Sequence, residues 1–227
     1  GLIADFNPGD KTLTVHHSSQ VPHIMQAVFA RHFDIEESAI RVIVPDVGGS
    51  FGLKIHVFGD EVATVAISRI MGRPIKFIAD RLESFSTDIH ARDHEIEAKI
   101  AVDADGKILA IDVDDWTGIG PYSVYPRTSA IEGNQVVNLC GGPYDFANYR
   151  AQTTVVFQNK TPTCQYRAVG HPIAVAITEG LVDMAAAAIG MDPVEIRRRN
   201  MYPDDAYPVT SPAKMKFEGL SHHASMD

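Results

Sequence analysis

Cysteine is scarce, and what is absent narrows the field before any motif is considered. Only two occur in 227 residues, Cys140 and Cys164, and they form no CxxC pair, so neither a disulfide framework nor a thiolate zinc site is signalled. A reducing compartment, the cytoplasm, is the expected location. The sequence has no run of roughly 18 apolar residues; Leu181 to Met191 is the most apolar stretch and reads as too short and too Ala-rich to span a bilayer. Basic residues are in deficit, 20 against 29 acidic, with a formal net charge of -9, and only Arg197, Arg198 and Arg199 cluster. Nucleic acid is therefore excluded as the expected partner. Ten histidines form no HExxH or HxxEH unit, so metal ligation by histidine is not expected. Internal repeats and low-complexity tracts are missing as well.

What remains is ordinary globular material, 45% hydrophobic and 22% charged, enough for one large or two small domains. The first residue is Gly1, and Gly1 to Asn7 lacks the pattern of a secretory signal. Both ends read as cut ends.

Periodicity gives an α+β chain of mixed sheets with packed helices. Thr12 to His16 alternates as a strand, and Pro22 opens a helix with Ile24, Met25, Val28, Phe29 and Phe33 on one face. A buried strand over Ala39 to Pro45 feeds a glycine-rich turn, Gly48-Gly49-Ser50-Phe51-Gly52. Apolar residues at 58, 62, 63, 66, 67 and 70 predict a helix that Gly72 and Pro74 stop, followed by a strand over Ile75 to Ala79. Glu95 to Val102 and Lys107 to Val113 predict a hairpin around Asp105-Gly106. Gly118 to Tyr149 reads as an ordered but irregular connection, and Thr153 to Phe157 as a strand. Pro172 to Ile189 predicts a long helix with 173, 177, 181, 184, 185 and 188 on its buried face. Asp192-Pro193-Val194-Glu195 then starts another with a capping box. A division into subdomains is expected near residue 115, as about 1–115 and 116–227.

Taken one at a time, the candidate sites are ambiguous. The turn at Gly48 to Gly52 brings backbone N–H groups close to whatever binds there, but it fits neither a P-loop nor a dinucleotide fingerprint. Gln20, just before a helix, could cap it or face a ligand. Arg167 lies in a tight loop, Tyr166-Arg167-Ala168-Val169-Gly170-His171-Pro172, where anion recognition and a structural salt bridge are both open. Cys164 defaults to a small buried hydrophobe. Glu179 and Asp183 read as a solvated helix face.

In order and spacing, however, these features resemble the molybdopterin-binding region of the xanthine dehydrogenase/aldehyde oxidase family along essentially the whole chain. Five ordered elements carry the resemblance: Gln20 before a helix with the GG-x-FG turn Gly48 to Gly52; Gly72-Arg73-Pro74-Ile75-Lys76 leading to the acidic-aromatic stretch Asp80 to Phe85; Gly142-Pro143-Tyr144 through Asn148; Tyr166-Arg167 through Pro172; and Asp192-Pro193-Val194-Glu195-Ile196-Arg197-Arg198-Arg199-Asn200.

The resemblance implies an internal piece of the large subunit of a molybdenum hydroxylase. In such an enzyme water supplies the inserted oxygen and electrons leave through iron–sulfur clusters towards FAD on other domains or subunits. The metal is held by the pterin dithiolene, not by protein side chains. Gln20 and Arg167 are the implied catalytic residues, with Gln20, Gly49, Ser50, Phe51, Gly52 and Arg167 at the cofactor. Ile55, Gln135 and Val169 are implied in the substrate pocket. Purine hydroxylases carry Glu and Arg where Ile55 and Gln135 align, which disfavours xanthine. Carbon monoxide dehydrogenases carry Cys where Ala168 stands, which disfavours that reaction. Aldehydes and N-heteroaromatics remain. The family's general-base Glu falls outside these residues, so the piece alone is expected to be inactive, its partners being the rest of the large subunit, an iron–sulfur part and a flavin part. Two readings compete: a non-catalytic structural subunit of such a complex, and a free-standing anion-binding protein built on the glycine turn.

Overall fold

In the computed structural model, which describes residues 1–227, β1 (Leu2–Asn7) pairs antiparallel with β2 (Thr12–His17). Alternation buries Leu2, Ala4 and Phe6 and turns Ile3, Asp5 and Asn7 outward. No strand is legible here in the sequence, because Ala4, Asp5 and Asn7 are poor strand formers; pairing on both sides decides it. β3 (Ile40–Ile43) adds parallel to β2 and β4 (Ile75–Phe77) antiparallel to β1, giving the order β3-β2-β1-β4. Both strands are shorter than predicted, and only Ile40 of β3 is fully buried.

α1 (Pro22–Phe33) starts at its proline and buries Met25, Val28 and Phe29, while Ile24 is left exposed. α2 (Gly59–Met71) departs from its predicted stripe. Its buried residues are Thr64, Val65 and Ser68, and Ile67 and Ile70 face outward. Backbone chemistry explains the rotation: Ser68 Oγ accepts from the Phe6 N–H at 3.0 Å and donates to the Arg73 carbonyl at 2.9 Å, joining the helix to β1 and to its own exit. α3 (Arg81–Thr87) is a short helix within the acidic-aromatic stretch, for which the sequence predicts no element. Asp80 and Glu83 start it with a reciprocal capping box, both bonds at 2.8 Å.

Two compact units are formed, interleaved along the chain. The first comprises residues 1–90, 121–129 and 159–167; the second comprises 91–120, 130–158 and 168–227. The division expected near residue 115 falls inside a strand of the second unit.

That unit is built on the hairpin of β5 (His94–Val102) and β6 (Ile108–Gly118), with β7 (Asn148–Val156) parallel to β6. At the turn Gly106 takes φ 81°, and Asp103 Oδ1 accepts from the N–H groups of Asp105 and Lys107 at 3.0 and 2.8 Å. The connection over 118–149 is not irregular throughout: it holds α4 (Ile131–Leu139). Its buried positions are Glu132, Gly133 and Val136, and a Glu and a Gly facing inward erase the apolar period.

α5 (His171–Ile189) buries Ala174, Ile177, Leu181, Val182, Ala185 and Ala186 against Ile108, Ile111, Val113 and Tyr144, while Met184, expected inside, is exposed. By length and composition alone α5, 19 residues with a mean hydropathy of 1.6 over an 18-residue window, is long and apolar enough to cross a membrane; its buried face belongs to this unit's core.

α6 (Pro193–Asn200) begins at Asp192, whose carboxylate accepts from the N–H groups of Val194 and Glu195 at 2.8 and 3.0 Å. The predicted capping box is not completed, because Glu195 pairs with Arg199 at 2.6 Å. Arg197 binds Glu179 and Asp183, each at 2.8 Å, and Tyr144 donates to Glu179, so this face, with Asp183 still exposed to solvent as expected, also clasps α6 to α5. Asn200 Oδ1 accepts from Ile108 N–H at 2.8 Å, and its Nδ2 donates to Gly106 O at 2.7 Å. The Arg-Arg-Arg-Asn motif is thus an internal clasp. A small ribbon, β8 (Val209–Thr210) with β9 (Lys216–Phe217), and α7 (His222–Met226) complete the unit.

Candidate cofactor site

In the first unit the residues singled out by sequence meet at the glycine turn. Phe51 and Gly52 take φ of 52° and 95°, and the turn passes into a short 3-10 segment, Leu53–Ile55. Gly52 is required twice over: its φ is left-handed, and a Cβ there would lie 3.3 Å from the Gln165 carbonyl oxygen.

Gln20 does not cap α1, whose N-cap position is Val21 and carries no side-chain cap. Its Oε1 instead accepts the Gly52 N–H at 3.0 Å, and its own backbone N–H donates to Lys54 O at 3.0 Å. Ser19 Oγ also donates to Lys54 O, at 3.2 Å. The strand-to-helix loop and the glycine turn are therefore stitched together. With Oε1 engaged, the exposed Gln20 amide presents its NH₂ as donor.

Arg167 N–H donates to Phe51 O at 2.8 Å, and its guanidinium lies 5.5 Å from the Phe51 ring centroid. The amides of Gly49, Ser50 and Phe51 donate to no group of the chain. The backbone amides of Gly49 to Phe51, the Gln20 NH₂ and the Arg167 guanidinium make this cluster rich in hydrogen-bond donors, which suits an oxygen-rich, anionic group more than a bare cation. Ile55 follows on the 3-10 segment, half-buried. A separate cavity of about 660 Å³ in this unit, lined by His56, Asp60 and Tyr125 among others, includes none of Gln20, Gly49, Gly52 or Arg167.

In the second unit Gln135, on α4, and Val169 are brought together around Gly170. Gln135 Oε1 accepts the Gly170 N–H at 3.1 Å. Ala168 and Val169 both take left-handed φ, 69° and 52°. For a β-branched residue this is a true outlier. Sequence reasoning missed what lies beneath. His94, Asp115 and Glu132 form a buried cluster, with His94 Nδ1 at 2.7 Å from Asp115 and Nε2 at 3.1 Å from Glu132. Burial alone would depress the His94 pKa, but hydrogen bonds to both carboxylates, aided by their charges, raise it to about 9. The three residues are scattered over β5, β6 and α4, and no local signal links them.

Comparison with known proteins decides the family. The model of the molybdopterin cofactor-binding domain matches residues 1–201. The chain belongs to the molybdopterin cofactor-binding domain family. Among curated relatives this molybdopterin-binding chain is 30% identical to the carbon monoxide dehydrogenase large chain of Hydrogenophaga pseudoflava, over 100% of this chain and 28% of that one. It is 31% identical to the nicotine 6-hydroxylase large subunit of Paenarthrobacter nicotinovorans, over 96% of this chain and 27% of that one. Among solved structures it superposes on quinoline 2-oxidoreductase from Pseudomonas putida 86 with a TM-score of 0.90 and 32% identity, covering 96% of this chain and 28% of that one. The chain thus spans 27–28% of the length of these three relatives. The α+β class with mixed sheets and the molybdopterin-type cofactor, both expected from sequence, hold.

Proposed function

We propose that this chain is the part of a molybdenum hydroxylase that holds the cofactor, in an enzyme that hydroxylates an aldehyde or an N-heteroaromatic compound with oxygen from water. The observation that carries the reading is the Gln20–Gly52 bond, with Arg167 anchored on Phe51 beside it. When bound, the cofactor supplies the two-electron oxidising chemistry. Gln20 would offer its free amide N–H to the group, and the amides of Gly49 to Phe51 would offer theirs to its anionic oxygens. Arg167 contributes a fixed positive charge, its plane held by the Phe51 ring. Ile55 and Val169 would act towards the substrate, and Gln135 through the backbone that carries Val169. Gln20 and Arg167 orient and stabilise; the proton-abstracting group comes from the rest of the large subunit.

N-heteroaromatics are favoured by two relatives, which by name act on nicotine and on quinoline. The likeness to a carbon monoxide dehydrogenase large chain does not restore the cysteine that the resemblance requires after the loop arginine, because that residue here is Ala168. Iron–sulfur clusters and FAD on other domains or subunits, and a cytoplasmic location, belong to the same proposal.

The test is turnover by the complete enzyme containing this chain, with a panel of aldehydes and N-heteroaromatics, a dye acceptor and ¹⁸O-labelled water. Label in the product supports the reading. Turnover without label, or none from a cofactor-loaded complex over the whole panel, contradicts it.

A further inference from the structure

We infer that Gln135 is a positioning residue for Val169, holding the strained Ala168–Val169 turn through the Gly170 amide, with the buried His94–Asp115–Glu132 cluster as the anchor for its helix. The functional consequence rests on the hydroxylase reading; the geometry does not.

Three observations carry it. First, Gly170 is pressed onto α4. A Cβ there would lie 2.6 Å from Glu132 O, 2.7 Å from Gln135 Cβ and 2.7 Å from Val136 N, so the turn rests directly on the helix backbone. The polar tie at that contact is Gly170 N–H to Gln135 Oε1 at 3.1 Å. Second, two consecutive non-glycine residues in left-handed geometry are strained and persist only where neighbours over-determine them. The other fastening is His171, whose N–H reaches Ala168 O at 2.9 Å, with its Nδ1 2.8 Å from the same oxygen.

Third, α4 itself is locked to all three strands of its sheet. Glu132 Oε1 accepts from Arg92 N–H at 2.9 Å and lies 3.1 Å from His94 Nε2 on β5. His94 Nδ1 meets Asp115 Oδ1 on β6 at 2.7 Å. Asp115 Oδ2 accepts from Thr117 on β6 at 2.7 Å and from Thr153 on β7 at 2.9 Å. Both ring nitrogens of His94 face carboxylates, so the ring serves as a doubly donating imidazolium. Gly133 completes the fit: a Cβ there would sit 2.4 Å from Thr153 Oγ1 and 2.6 Å from Thr117 Oγ1. Sheet, cluster, helix and turn form one contiguous stack ending at Val169. Because Gln135 Oε1 is committed to the backbone, the residue fixes where Val169 stands, and so sets the pocket's tolerance for substrate size.

The experiment uses the complete enzyme and two variants at this half-buried position. Gln135→Met keeps length and helix propensity but removes the acceptor; Gln135→Glu keeps the acceptor and removes the NH₂ donor. Hydrogen exchange of the peptide spanning 166–172, molybdenum content, and the kcat/KM ratio for a small and a bulky substrate are measured for each. In Gln135→Met, exchange of that peptide accelerates about tenfold, the expected loss for one bond of ~1 kcal/mol or slightly more. Its selectivity ratio moves towards unity with molybdenum content unchanged, and Gln135→Glu restores both. Unchanged exchange in Gln135→Met overturns the inference. So does a Gln135→Glu enzyme that keeps slow exchange yet loses turnover, which would make Gln135 a direct substrate donor. Exchange reads out without cofactor, so an enzyme lacking molybdenum would sink the hydroxylase reading while the exchange rates of the two variants still decide the positioning role.

Discussion

The Gly52 N–H donates to Gln20 Oε1 at 3.0 Å, across 32 positions of sequence, and this bond orients the Gln20 amide so that only its NH₂ is free to donate. Gln20→Glu keeps the acceptor for Gly52 but replaces the donor with a negative charge. The variant is expected to fold with stability within about 1 kcal/mol of the parent, since the bond is surface-exposed. Cofactor content should fall severalfold or more. Molybdenum analysis beside thermal unfolding checks both, and full molybdenum occupancy in this variant would remove Gln20 from the cofactor site.

Gly52→Ala tests the turn. An L-residue at φ 95°, with its Cβ 3.3 Å from Gln165 O, is expected to destabilise the first unit by about 1–2 kcal/mol. Cofactor retention should drop with it. Chemical unfolding gives the first quantity and metal analysis the second; an Ala enzyme indistinguishable from the parent contradicts the strain argument.

The His94 cluster predicts a pH dependence. Its folded pKa, about 9, is raised above the unfolded value, so its contribution is fully present below the ordinary histidine range and is lost as pH rises through about 9. His94→Gln strands two buried carboxylates and should cost roughly 3–5 kcal/mol near neutrality. It should also flatten the stability curve between neutrality and about pH 10. Unfolding free energies of parent and variant across that window provide the check; parallel curves would mean that His94 is neutral.

Asn200→Leu probes the clasp beneath the hairpin. It leaves the Ile108 N–H and the Gly106 carbonyl without their partner in a buried position, an expected loss of about 2–4 kcal/mol. Since the Arg-Arg-Arg-Asn motif serves packing, the surviving folded enzyme should keep its kcat. A large kcat loss at unchanged stability would assign the motif to chemistry.

How much was legible follows the physics of each element. α1, the β5–β6 hairpin and the start of α6 were readable because Pro22, Asp105-Gly106 and Asp192-Pro193 are local signals whose effect does not depend on distant residues. β1 and α4 were not, because their identity is conferred by tertiary partners: β1 by strands on both sides, α4 by an inward Glu and Gly that only a buried imidazolium and a close-packed sheet can accommodate. The face of α2 was misjudged for a similar reason, since Ser68 is buried to serve the backbone of Phe6. The residues proposed to hold the cofactor were visible only as an ordered set of motifs. Taken singly, Gln20 looks like a cap and Arg167 like an ion-pair partner; the structure shows that Gln20 does not cap α1 and that both contact the Phe51–Gly52 turn.

The most direct test of the central claim is the molybdenum and pterin content of the complete enzyme containing this chain, by elemental analysis and by fluorescence of the oxidised pterin. Stoichiometric molybdenum with its pterin, both diminished together in Gln20→Glu, is the predicted result. An intact, folded complex that holds neither would contradict the account and leave this chain a structural subunit.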